Sequence, residues 1–181
     1  MAEAVRIVSA VDRQARTEAT TKNYSHMSLH TKSWVQRIPV TIEEAWTFFS
    51  MPENLSRITP PEMMFRITGG EGARPIHEGM VINYTLYPFM MIPVNWATEI
   101  TRVSKPDFFE DRQLQGPYEE WRHRHLFRAI EGGVEMTDVV EYRLPLGEFG
   151  ELVESLIVGR RLDEVFGYRR RRIGEILGRM E

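Results

Sequence analysis

The chain has 181 residues, no cysteine and a formal net charge of −3, with 42% apolar and 27% charged residues. This length fits one domain with its own core, and the absence of cysteine excludes disulfide bonds and thiolate metal sites. The slight negative charge weighs against a nucleic-acid partner, whose usual footprint is strongly basic. No apolar run reaches the length of an integral membrane segment, so a cytoplasmic location is expected.

The first part of the chain divides into an extension and the start of a folded domain. Residues 1–31 carry only weak patterning and are expected to form a flexible N-terminal extension to a domain that spans residues 32–181. The domain opens with an alternating stretch that predicts a strand. Thr41 and Glu44 then have the spacing of a capping box, which predicts a short helix. Pro52 marks the start of a second short helix.

The rest of the domain alternates between strand signals and turns, and then becomes helical. Six stretches show the two-residue period of strands, near residues 63–68, 80–87, 94–101, 108–115, 120–130 and 135–144. Short turns between them imply antiparallel pairing. From residue 148 onward, apolar residues recur at three- and four-residue spacings. The order predicts an α+β domain in which a curved seven-stranded antiparallel sheet wraps around a long C-terminal helix and encloses a mostly apolar cavity.

Several local motifs share the spacing of one protein superfamily. They are Pro52-Glu53-Asn54-Leu55, Ile58-Thr59-Pro60-Pro61, Phe109-Glu110-Asp111, Gly116-Pro117-Tyr118, and Trp121-Arg122-His123-Arg124-His125. Together they resemble a bacterial branch of the START, Bet v 1 and polyketide-cyclase/dehydrase superfamily (SRPBCC), whose members are often labelled "cell division inhibitor". The resemblance covers about residues 32–178. It implies the helix-grip fold and a cavity for a small molecule.

Strand parity indicates which side chains face that cavity. In the stretch 120–130, His123 and His125 share one face, while Arg122 and Arg124 share the other. Because arginine favours water, the histidine face is expected to point inward.

The same reasoning places two acids beside the histidines. Folding the hairpin about residue 118 puts Gln113 opposite His123 and Asp111 opposite His125. Alternation in the next strand brings Asp138 near His125. Buried carboxylates need partners, and histidine is a natural one. The full set of candidate ligand-binding residues is Tyr84, Trp96, Phe109, Asp111, Gln113, Trp121, His123, His125, Asp138 and Tyr142.

Three interpretations of the polar cluster remain open. The acids and imidazoles can satisfy one another as a structural network. They can instead orient a mainly apolar ligand through a few hydrogen bonds. They can also act in catalysis or hold a metal, since His-x-His with two carboxylates has the right atoms for zinc or iron. Because the sequence contains no metal or nucleotide motif of good specificity, no metal ligand and no cofactor is assigned.

The sequence therefore predicts a protein that binds a hydrophobic small molecule such as a lipid, an isoprenoid or an aromatic polyketide. The alternative is a cyclase, dehydratase or hydrolase that uses the His–Asp cluster. A third hypothesis is a scaffold that acts through the extension and the arginine run at residues 169–172, which is interpreted first as a solvated helix face. The oligomeric state stays open.

Overall fold

The computed structural model describes residues 28–71, 73–89 (without the Phe89 side chain), 92–145 and 157–180. Its elements, in chain order, are β1 (His30–Ile38), α1 (Ile42–Phe49), α2 (Asn54–Arg57), a 3₁₀ turn (Pro61–Met63), β2 (Arg66–Gly70), β3 (Val81–Phe89), β4 (Ile92–Ser104), β5 (Phe108–Gln115), β6 (Glu120–Ile130), β7 (Gly133–Arg143) and α3 (Gly159–Leu177). The first strand begins at His30, inside the predicted extension. Residues 1–27 of that extension and the predicted start of the last helix at 148–156 lie outside the described residues.

The seven strands form one antiparallel sheet in the order β1-β7-β6-β5-β4-β3-β2. Strands β1 and β2 therefore lie at opposite edges, and the two short helices between them span one end of the curved sheet. With α3 following the last strand, this is the predicted α+β helix-grip fold.

Helix α1 begins at the predicted capping box. The Glu44 amide donates to Thr41 Oγ1 at 3.2 Å, and the Thr41 amide donates to Glu44 Oε2 at 2.8 Å. These two bonds satisfy backbone donors that a helix start otherwise leaves unpaired. The helix buries Ala45, Trp46 and Phe48, which join the core cluster that closes this end of the sheet.

Helix α3 is attached to the edge strand β1. The Trp34 ring stacks on Phe166 with centroids 3.8 Å apart, and Lys32 Nζ donates to Asp163 Oδ2 and to the Gly159 carbonyl. The helix buries Leu162, Val165, Phe166 and Ile173 toward the sheet. None of the helices in the described part of the chain is long and apolar enough to cross a membrane.

Candidate functional site

A cavity of about 200 Å³ lies between the concave face of the sheet and the helices. Its walls are mainly aromatic and aliphatic, and every layer of the fold contributes to them. Examples are Phe48 from α1, Met63 from the 3₁₀ turn, Tyr84 and Trp96 from β3 and β4, and Leu162 and Phe166 from α3.

Most of the predicted site residues line this cavity. The seven that do are Tyr84, Trp96, Phe109, Asp111, Trp121, His123 and His125. Asp138 is buried beneath the histidines, Tyr142 is fully buried in the core beside Val140 and Leu144, and Gln113 lies at the β5–β6 turn. Strand parity therefore identifies the concave face of the sheet correctly. How deeply each side chain is buried on that face depends on its neighbours.

The register of the β5–β6 hairpin differs from the prediction by two residues. Asp111 pairs with His123 and Phe109 pairs with His125, so the predicted pairings of Gln113 with His123 and of Asp111 with His125 are wrong. Gln113 instead stabilises the β5–β6 turn, because its Nε2 donates to the Tyr118 carbonyl at 2.7 Å. A shift of two residues preserves side-chain parity, so the same residues still face inward.

The polar cluster consists of two imidazoles held between two carboxylates. His123 Nε2 donates to Asp138 Oδ1 at 2.8 Å, consistent with β7 placing Asp138 opposite His125 as predicted. His125 Nδ1 lies 3.0 Å from the same oxygen but lacks hydrogen-bond alignment. On the cavity side, Asp111 Oδ2 lies 3.4 Å from His125 Nε2 and 3.9 Å from His123 Nδ1.

The two histidines differ in their affinity for a proton. Burial, together with the neighbouring His125, lowers the pKa of His123 despite its hydrogen bond to Asp138. Burial alone would also lower the pKa of His125, but its interactions with Asp111 and Asp138 outweigh burial and raise it. Burial would raise the pKa of Asp138, yet the two histidines hold it below its usual value. The surroundings thus lower the pKa of one imidazole and raise that of the other.

The cluster also contains the donor atoms of a metal site. Asp111, His123 and His125 each offer one ligand atom, and these atoms lie within 4.8 Å of one another.

Arg169 departs from the prediction that the arginine run is a solvated face. It lines the cavity, and its guanidinium carbon lies 4.7 Å from the centroid of the Phe166 ring. Its Nε is inaccessible and has no hydrogen-bond partner within the part of the chain that the structure describes. Burial lowers its pKa, against the charges of Asp138 and Asp111. The spacing of Leu162, Phe166 and Arg169 places it on the apolar helix face, a signal that the arginine run conceals.

Two further residues of the wall were missed from the sequence. Thr98 accepts from Trp96 Nε1 at 3.2 Å and lies 3.4 Å from the Tyr84 hydroxyl, so it satisfies the polar tips of both aromatics. Burial raises the pKa of Tyr84, which therefore stays a neutral phenol. Thr98 lies two residues after Trp96 on β4 and therefore shares its face, and this parity could have identified it. Tyr118 lies in the β5–β6 turn, where no periodicity applies, and it also lines the cavity.

No protein-family model and no curated protein matches the chain. Solved structures do resemble it. Protein Ms6760 from Mycobacterium smegmatis is 16% identical with a TM-score of 0.60, over 81% of this chain and 90% of that one. Norcoclaurine synthase from Thalictrum flavum, in complex with dopamine and hydroxybenzaldehyde, is 15% identical with a TM-score of 0.60, over 84% and 91%. Major latex-like protein 151 from Panax ginseng is 13% identical with a TM-score of 0.61, over 82% and 97%.

These neighbours confirm the predicted helix-grip fold. At these identities the likeness is one of fold, and the label "cell division inhibitor" gains no support from it. One fold supports many functions, so the function depends on the site itself.

Proposed function

We propose that the protein binds a small hydrophobic molecule with an anionic end inside the cavity. The observation that carries this proposal is the pairing of an aromatic and aliphatic wall with the guanidinium of Arg169, whose buried Nε has no hydrogen-bond partner among the described residues. Concave, mainly apolar pockets with a few convergent polar groups are the usual form of small-molecule sites. A location in the cytoplasm remains a prediction.

The size of the cavity limits the ligand. At about 200 Å³ it is smaller than the roughly 300–1,000 Å³ of sites for drug-sized ligands. An aromatic ring system or a short isoprenoid unit fits this space better than a long acyl chain. The rings of Tyr84 and Trp96 lie nearly parallel, with an interplanar angle of 15°, and they form a wall against which a flat ligand can pack.

Arg169 favours a charged group on that ligand. Of the carboxylates in the described ranges, none forms an ion pair with its guanidinium. A cation without an ion-pair partner at an apolar cavity is costly unless a bound group supplies the missing charge and hydrogen bonds. A carboxylate or sulfonate matches the fork of guanidinium donors.

Two matched ligands test the proposal. Isothermal titration of the full chain with 2-naphthoate and with uncharged 2-naphthamide compares the same ring system with and without the anion. We expect 2-naphthoate to bind more tightly, and Arg169→Met to reduce that preference by about tenfold or more. Arg170→Met changes an exposed arginine on the same helix and is the control. Leu162→Trp fills the cavity, so it is expected to abolish binding of both compounds.

Two results would count against the proposal. Binding that survives Leu162→Trp would place the ligand elsewhere. Equal affinity for both compounds in the native protein would remove the assignment of an anionic group while leaving hydrophobic binding in place. Native mass spectrometry of protein purified from its host would show whether a ligand co-purifies.

A cyclase-, dehydratase- or hydrolase-type enzyme is the second candidate. It is favoured by the His123–Asp138 hydrogen bond at the cavity wall, because such a pair can act as a general base. Norcoclaurine synthase, whose fold the chain shares, is an enzyme by name. This candidate predicts that His123→Ala abolishes turnover of a cavity ligand while the circular dichroism spectrum is retained. Loss of folding in that variant would support a structural role instead.

A further inference from the structure

Three side chains that can ligate a metal converge on one point of the cavity wall. Asp111 comes from β5, while His123 and His125 are two residues apart on β6, so the sheet itself directs all three inward. All three line the cavity. They are positioned by paired strands and not by a loop, and sites built on rigid elements hold their geometry best.

The distances are close to those of a coordination sphere. Zinc binds imidazole nitrogen at about 2.0–2.1 Å, and the ligands of a tetrahedral site therefore lie about 3.3 Å apart. Asp111 Oδ2 lies 3.4 Å from His125 Nε2 and 3.9 Å from His123 Nδ1. All three ligand atoms lie within 4.8 Å of one another, so side-chain rotations, of the imidazoles as well as of the carboxylate, are needed to reach the tetrahedral spacing.

Asp138 occupies the position of an orienting residue behind the ligands. It receives the N–H of His123 Nε2 at 2.8 Å and lies 3.0 Å from His125 Nδ1. These contacts engage one nitrogen of each ring and leave His123 Nδ1 and His125 Nε2 on the side of Asp111. Metal-bound histidines usually have such a carboxylate on the other ring nitrogen, because it fixes the tautomer and the ring orientation.

We infer that Asp111, His123 and His125 bind one divalent transition-metal ion, with Asp138 as the positioning residue. Two imidazoles and one carboxylate suit zinc or iron(II) and disfavour magnesium and calcium, which prefer oxygen. The two carboxylates of the cluster balance the charge of a dication. Because the three ligands form part of the cavity wall, the remaining coordination positions open toward the cavity, as in catalytic sites. The inference concerns the metal alone and holds for any cavity ligand.

Metal titration of the full chain tests the site without reference to turnover. After treatment with a chelator, the protein is titrated with Zn²⁺ in competition with a chromophoric chelator, and with Co²⁺ while the visible spectrum is recorded. We expect one equivalent of tightly bound metal and the intense visible bands of four- or five-coordinate Co²⁺. Asp111→Asn and His125→Gln are expected to weaken binding about 100-fold or more, and Asp138→Asn about 10–100-fold.

His77→Gln is the matched control, because His77 is an exposed histidine outside the cluster. It is expected to leave both stoichiometry and affinity unchanged. Circular dichroism of each variant verifies that the fold is retained. Native protein that binds no Zn²⁺, or binding that Asp111→Asn and His125→Gln leave intact, would overturn the inference and favour a metal-free hydrogen-bonded network. The native protein's response is decisive even if a variant fails to fold.

Discussion

The two faces of strands β5 to β7 both carry clusters of acids and bases, but in opposite environments. On the concave face, Asp138 and His123 keep only 9% and 8% of their side-chain surface exposed. On the convex face, Arg122 Nε lies 3.0 Å from Glu141 Oε2 and the arginine is 43% exposed. That contact lacks hydrogen-bond alignment.

The same alternation of residues along the strands therefore produces two kinds of charge cluster. On the convex face, water partly screens the arginines, since Arg122 and Arg124 are 43% and 38% exposed, and Glu141 contacts both of them. On the concave face, each charge depends on its neighbours for the interactions that water no longer provides. Removing one group should therefore have very different effects on the two faces.

The largest expected effect is on the concave face. Asp138→Ala leaves His123 without its acceptor and His125 without a carboxylate 3.0 Å away, and we expect a loss of about 3–5 kcal/mol in the free energy of unfolding. Glu141→Ala, on the convex face of the same strand, should lower the free energy of unfolding by about 1 kcal/mol or less. Urea denaturation of both variants measures the difference. Equal losses would show that burial does not separate the two clusters.

A change of opposite sign is expected at Arg169. Arg169→Met keeps most of the apolar volume and removes the buried Nε donor, which has no partner among the described residues, so the free energy of unfolding should rise by about 1 kcal/mol. Arg122→Met, the convex counterpart, should lower it slightly. Thermal and urea unfolding of the ligand-free protein compares the two. A large destabilisation by Arg169→Met would mean that the charge is already compensated in the free protein.

The smallest expected effect concerns salt. The loss caused by Arg122→Met should be about 0.2–1 kcal/mol at low ionic strength and should vanish in 1 M sodium chloride, where the Debye length is about 3 Å. The loss caused by Asp138→Ala should persist, because the concave cluster is shielded from mobile ions. Urea denaturation at both salt concentrations decides this point. A loss from Asp138→Ala that disappears in high salt would show that the concave cluster is accessible to solvent ions.

Strand phase was predictable from the sequence because it depends only on where charge and apolar bulk alternate. Arg122 and Arg124 must face water, and this single requirement orients His123 and His125. The capping box at Thr41 was equally local. Register was not predictable in the same way, since it depends on how Gln113 binds the backbone of the β5–β6 turn.

In helix α3, the prediction from the sequence was wrong for Arg169. Arg169 belongs to a run of arginines, and composition alone favoured a solvated face. Its position relative to Leu162 and Phe166 is set by the helical period, which directs it to the cavity. Composition describes the average environment of a segment, whereas periodicity describes each side chain. Where the two conflict, as here, the residue is a candidate for function.

The pairing of β1 with β7 has a consequence for synthesis on the ribosome. Among the described strands, the one that begins at His30 pairs only with the one that ends at Arg143, so β1 lacks this partner until β7 has been translated. Contacts between such distant segments slow folding, and an unpaired edge exposed for that time can associate with other chains. Nascent chains stalled before β7 should therefore require a chaperone to remain monomeric.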